Sequence, residues 1–225
     1  MSDSNDPVAS FTAHPRTFMR TNIIVVGGIT AEQVTGQIFT TPQEIYMLGQ
    51  SPKVRLGLIE LNGDQIDNKP GKVYGLYVCS SQQQSGFEAF FCPYKQDKAF
   101  FVQLSGSARF MFTATMDGCT FAVGSQSGNS SANVGHVNFG KVALDWGPQD
   151  GPTRQIGAQR NVAEDRLGAN SLVIQPQDYR GPQGDTYSTT VGRLGSDQMW
   201  HFYTLRYRKT GARRYFHAGL VGEGV

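Results

Sequence analysis

The sequence predicts an α+β, strand-dominated fold: a single-domain β-sandwich of mixed sheets with a few peripheral helices and long loops. Three observations predict it. Segments rich in Val, Ile, Phe, Tyr and Thr follow one another with turn residues between them instead of regular helices. Gly is abundant at 27 residues, and only 17% of residues are charged, the texture of a chain rich in strands and loops. No internal repeat and no clean linker divides the chain, so residues 21–225 read as one domain behind a flexible arm, residues 1–20.

The elements are read in order. Residues 1–20 are polar and carry Asp3, Asp6 and Pro7, which makes them a loosely attached arm. Asn22 to Val26 is the first strand, closed by Gly27-Gly28. Thr30 caps a short helix over Ala31 to Ile38, because its hydroxyl can accept an orphan backbone N–H of the first turn. Val54 to Leu61 alternates apolar and polar residues and ends at the Asn62-Gly63 turn. Val73–Cys79, Phe87–Cys92, Ala99–Leu104 and Ala108–Thr115 follow as strands. Cys119–Val123 is another, then a polar loop from Gly124 to Gly135, then a strand over His136–Leu144. From Trp146 to about Arg193, Pro148, Pro152, Pro176 and Pro182 interrupt the pattern; a helix over Ala158–Leu167 and a short strand over Ser171–Ile174 are expected there. The chain ends on a hairpin, Trp200–Arg208 and Arg213–Leu220, turning at Thr210-Gly211.

Bulk properties narrow the function classes. Twenty basic and eighteen acidic side chains nearly balance, so no global field argues for nucleic acid or a membrane. No apolar run reaches the length of a transmembrane helix, and the start of the chain reads as lacking a secretory signal peptide. Cys79, Cys92 and Cys119 are too few and too scattered for a disulfide scaffold, and the odd count leaves a free thiol. No Cys/His spacing fits zinc, so neither a metal nor a cofactor is expected.

Cys119 is the candidate nucleophile. An apolar strand runs into Asp117-Gly118-Cys119, and apolar residues resume at Phe121, Ala122 and Val123. Gly118 is expected to supply a turn with torsions closed to other residues, presenting the thiol while its neighbours stay packed. The competing reading is a buried thiol acting as a small hydrophobe. A free thiol has a pKa of about 8.5 and needs a base to become a nucleophile. Of His14, His136, His201 and His217, only His136 opens a strand that can pair with the one after Cys119. Cys79 and Cys92 read as buried packing residues, which leads to the expectation that Cys119 alkylates first.

These residues carry a resemblance. Phe112 to Gly124, followed by a polar loop and His136-Val137, is similar to the catalytic segment of Burkholderia lethal factor, a distant relative of the catalytic domain of cytotoxic necrotizing factors. Upstream, Phe90-Phe91-Cys92-Pro93-Tyr94-Lys95-Gln96 resembles an apolar–Pro–aromatic–Lys–Gln stretch of the same family. The likeness spans residues 87–145. Met116-Asp117 departs from the family's Leu-Ser, and the loop to His136 is longer. Asp117 matters because a carboxylate facing the thiol would raise its pKa.

The resemblance implies a bacterial toxin or effector that converts a glutamine of a host protein to glutamate. Cys119 would be the nucleophile and His136 the acid/base. The backbone carbonyl of Thr113 would orient the histidine, and Gly118 would sit at the oxyanion turn. It implies a catalytic domain over 21–225, action in the host cytoplasm, a monomer, no membrane and no direct nucleic acid. The family's substrates offer two candidate partners, a translation-initiation RNA helicase or a Rho-type GTPase. A cysteine protease or transglutaminase would share the same dyad and acyl-enzyme step. A reading from another class is a binding module using the C-terminal hairpin, where Arg206, Arg208, Lys209, Arg213 and Arg214 interleave with Tyr203, Tyr207 and Tyr215.

Overall fold

The computed structural model describes residues 6–39, 44–126, 130–181 and 186–221. Residues 1–5 of the expected arm, residues 127–129 of the polar loop and Pro182 lie outside the described residues.

The chain opens with two short helices, α1 (Pro7–Ala13) and α2 (Pro15–Thr21). Each begins on a proline, whose missing N–H costs nothing in the first turn. The Asp6 side chain accepts the Val8 N–H at 2.9 Å and caps α1. The expectation of a loose arm is therefore corrected for residues 7–20. Phe11 and Met19 are fully buried, and the Phe11 ring lies 5.4–5.7 Å from the rings of Phe18, Phe87, Phe110 and Phe112. A few apolar residues at helical spacing in a polar stretch were enough to dock it.

Then come β1 (Ile23–Val26), α3 (Ala31–Thr35), β2 (Ile45–Gln50), β3 (Lys53–Glu60), β4 (Gln65–Ile66), β5 (Val73–Val78), β6 (Phe87–Cys92), β7 (Ala99–Leu104) and β8 (Phe110–Thr113). Thr30 caps α3 in a two-way capping box with Gln33, as its sequence position predicts. The helix stops early because Gly36 takes a left-handed conformation, φ 68°. The second half holds β9 (Thr120–Val123), β10 (Ala132–Val137), α4 (Gly140–Leu167), β11 (Leu172–Ile174), α5 (Pro176–Tyr179), β12 (Thr186–Leu194), β13 (Trp200–Gly211) and β14 (Arg214–Val221).

Two mixed sheets form, a nine-stranded one ordered β1-β5-β3-β6-β8-β12-β13-β14-β4 and a five-stranded one ordered β11-β9-β10-β7-β2. One apolar cluster joins Phe90, Met111, Trp200 and Phe202 of the larger sheet to Phe121, Val134, Val102 and Ile174 of the smaller, so the sheets pack face to face. The other face of the larger sheet is covered by α1 and α2. The other face of the smaller sheet packs on Ala163 of α4. The strand-dominated α+β class expected from the sequence is thus the observed one.

The sequence does not announce β2, β4 or α5, and β10 begins at Ala132, inside the expected loop; two further differences bear on the site. Residues 138–144 do not continue a strand: β10 ends at Val137 and α4 begins at Gly140. α4 is two helical pieces meeting at Gly147 (φ 73°), with Pro148 opening the second. Pro148 sits at the first position of the second piece, where its missing N–H costs nothing, whereas Pro152 lies one turn further in and forfeits the bond to the Pro148 carbonyl. β12 was not expected at all, yet it lies near the middle of the larger sheet between β8 and β13. It is buried on both faces, which removes the alternation that marks a half-exposed strand. Its hydroxyls are satisfied internally: Thr190 Oγ1 and Thr204 Oγ1 are 2.8 Å apart, and Thr113 Oγ1 accepts the Thr190 N–H at 3.0 Å.

Candidate active site

β9 and β10 are antiparallel neighbours, with His136 opposite Phe121 and Val137 opposite Thr120. Side chains two apart on a strand share a face. Extending that register one step sets Cys119 opposite Asn138, and His136 becomes the diagonal neighbour of Cys119, at a typical Cα separation of ~7–8 Å. All three face the larger sheet. Cys119 belongs to the inter-sheet core, and His136 faces the Tyr94 ring at 5.3 Å between centroids.

The sulfur has a specific partner. Asn138 Nδ2 donates to Cys119 Sγ at 3.2 Å in a buried contact. The other end of that amide is committed, because Asn138 Oδ1 accepts backbone N–H groups from Asp97 at 2.9 Å and Gly140 at 3.3 Å. Two backbone donors on one atom identify it as the oxygen, so the amide nitrogen must face the sulfur.

The backbone around the thiol is held from outside by side chains that come from α4 and α5. Gln155 Nε2 and Gln159 Nε2 donate to the Gly118 carbonyl at 3.2 and 3.1 Å. Tyr179 Oη donates to the Cys119 carbonyl at 2.8 Å. Arg180 donates to the Asp117 carbonyl. Gln159 Oε1 also accepts the Thr120 hydroxyl at 2.7 Å. Three consecutive carbonyls are therefore clamped, which fixes where the 119 side chain starts.

Burial sets the protonation states. Cys119 is 0% exposed and His136 is 1% exposed. Desolvation pushes the Cys119 thiol up to about 12; the Asn138 donor and the backbone N–H groups of Asp117 and Gly118 work against it, and the Asp117 charge adds to it. Desolvation alone carries the His136 imidazole down to about 3. The resting pair is a neutral thiol beside a neutral imidazole. Neither His136 ring nitrogen has a hydrogen-bond partner among the described residues.

Cys119 and His136 come together on one face. The Thr113 carbonyl is not a partner of His136, whose nitrogens are bare; Thr113 sits in the opposite sheet, paired with Cys92, and its hydroxyl accepts the Thr190 N–H. Gly118 is not among the glycines with left-handed torsions. A Cβ there would meet only the tip of the Arg180 guanidinium at 2.9 Å, the far end of a flexible side chain that can shift, so neither torsion nor space demands glycine at this position. Asp117 is exposed but still acts on the thiol through its charge. Cys92 is buried as expected, whereas Cys79 is half-buried. The expectation that Cys119 alkylates first is revised, because Cys79 is the most accessible thiol.

Asn138 was missed by sequence reasoning, although its place two residues after His136 marks it as facing the same way. Tyr179, Arg180 and the two glutamines carry no such signal, because they lie 36–61 residues beyond Cys119 in the chain.

His217 is a structural histidine, its ring bonded to the Met19 carbonyl at 2.7 Å and the Gly219 N–H at 3.0 Å. In the C-terminal hairpin, Tyr207 and Tyr215 are core residues and not free stacking platforms. Arg213 pairs with Asp64 and Arg214 with Asp67. No family model matches the chain, and no curated protein matches it.

Proposed function

We propose that the protein is a Cys-His glutamine deamidase. The observation that carries this reading is the shared inward face of β9 and β10, where Cys119 and His136 lie together and an anchored amide holds the sulfur. The residue pattern similar to lethal factor supports the same chemistry. Cys119 gives its proton to His136 as its sulfur attacks the carboxamide carbon of a substrate glutamine. The C–N bond breaks, and His136 hands the proton to the departing ammonia. Water then attacks the thioester, with His136 taking its proton, to release glutamate and restore the thiol. Doing this with a pair that rests neutral suits a concerted proton transfer, since neither group is charged beforehand in a dry site.

On this reading the partner is a host protein bearing the target glutamine, with a translation-initiation RNA helicase and a Rho-type GTPase as candidates, met in the host cytoplasm. The test is incubation of wild-type and Cys119→Ser proteins with host-cell lysate, read by mass spectrometry. The expected result is a glutamine-to-glutamate conversion on one protein, made only by the wild type, with ammonia release and no chain cleavage. Cleavage of a peptide bond would select a protease, and equal conversion by Cys119→Ser would end the proposal.

A further inference from the structure

A substrate cannot reach Cys119 or His136 in the resting structure, since both are buried. Something must move, and the surroundings are unequal. On the α4–α5 side, Gln159 and Tyr179 are buried and hydrogen-bonded to the backbone on either side of the sulfur. On the other side stands Tyr94. It is half-buried, packs against both large core clusters, and its hydroxyl makes no hydrogen bond among the described residues. Tyr94 also lines a cleft of about 390 Å³ whose walls include Gly28, Glu32, Lys95, Ala114 and Thr115. That is the size range of small-ligand sites. Glu32 and Lys95 form an ion pair at 2.6 Å within it.

We propose that this cleft is the substrate entrance, that Tyr94 is the gate between it and the Cys119–His136 pair, and that its ligand is a neutral carboxamide side chain. The ligand class follows from what lies behind the gate. A neutral imidazole offers one N–H donor and one acceptor nitrogen, and both are buried without partners. Leaving such groups unpaired is costly. A carboxamide carries the matching acceptor and donor, and it brings no charge into a site where desolvation already suppresses charge. Moving Tyr94 gives up apolar packing and a ring contact with His136 but no hydrogen bond, whereas opening the α4–α5 side breaks several hydrogen bonds.

The ligand's identity rests on the deamidase reading; the path does not. The test is iodoacetamide labelling under native conditions in a Cys79→Ser background, with fully buried Cys92 as the internal reference for unfolding. Tyr94→Ala is expected to speed Cys119 labelling on the order of tenfold while Cys92 stays protected, as lowering the cost of a local opening should. Gln96→Trp, which adds bulk to an exposed residue lining the cleft, is expected to slow it. Arg180→Ala is expected to leave the rate near wild type. An unchanged rate in Tyr94→Ala, or acceleration by Arg180→Ala instead, overturns the proposal. If Tyr94→Ala exposes Cys92 as well, the variant has unfolded and Gln96→Trp decides alone: slower labelling supports the path, and an unchanged rate overturns it. A variant that labels faster in a protein that deamidates nothing keeps the path and removes the deamidase reading.

Discussion

At the scale of single residues, the site is governed by burial. His136 has two bare ring nitrogens and a pKa carried down to about 3. In the unfolded chain it would titrate near 6.5. Between those values the unfolded state binds a proton that the folded state refuses, so stability falls as pH drops from about 6.5 toward 3 and is complete above that window. Cys119 acts at the opposite end. Its thiol is raised to about 12 from a reference of 9.0, so the unfolded chain ionises first and stability falls as pH rises through that interval. The prediction is that the His136 ring, followed by NMR, shows no protonation between pH 7 and 5. A His136 midpoint near 6.5 would mean that solvent reaches the ring. Asn138 was legible in part, because strand parity puts it on the face of His136. Its contact with the sulfur was not, since that depends on backbone donors from Asp97 and Gly140.

At the scale of elements, α4 is more than a cover for the smaller sheet. Gln159 is fully buried on it and bonds both the Gly118 carbonyl and the Thr120 hydroxyl. Gln159→Ala leaves the buried Thr120 hydroxyl without its partner, at about 1–3 kcal/mol, and leaves the Gly118 carbonyl to Gln155 alone. The expected outcome is a loss of about 1–3 kcal/mol in urea unfolding, together with weaker protection of the 117–120 amides in hydrogen exchange. A loss of stability without local deprotection would show that Gln159 does not hold this turn. The start of α4 was misread as strand because Val142, Ala143 and Leu144 continue the apolar run of β10. Asn138 interrupts that run by sending its side chain to backbone N–H groups, the habit that makes Asn a terminator of regular structure. Gly140 and Pro148 then suit helix beginnings.

At the scale of the whole molecule, the protein is layered: two N-terminal helices, the nine-stranded sheet, the five-stranded sheet and α4. Phe11 is the anchor of the first layer, set among four aromatic rings. Phe11→Ala is expected to cost ~3–5 kcal/mol, the usual range for truncating a buried Phe. A loosely attached arm would give a change within about 0.5 kcal/mol. Chemical denaturation separates the two outcomes.

The amino-acid sequence by itself determined the strand-dominated class, the Thr30 cap, most of the strands and the hairpin that brings Cys119 and His136 to one face. These are local matters, set by side-chain period, turn residues and caps over a few positions. Only the tertiary structure decided that α1 and α2 dock Phe11, Phe18 and Met19 into the core and that β12 runs near the middle of the larger sheet. It alone decided that the Thr113 carbonyl makes no hydrogen bond to the imidazole, that Gly118 takes no left-handed torsion, and that the thiol rests buried and neutral. Each of these depends on groups far apart in the chain meeting in a dry interior, where burial and hydrogen-bond partners set cost and charge, and no local pattern encodes who those partners are.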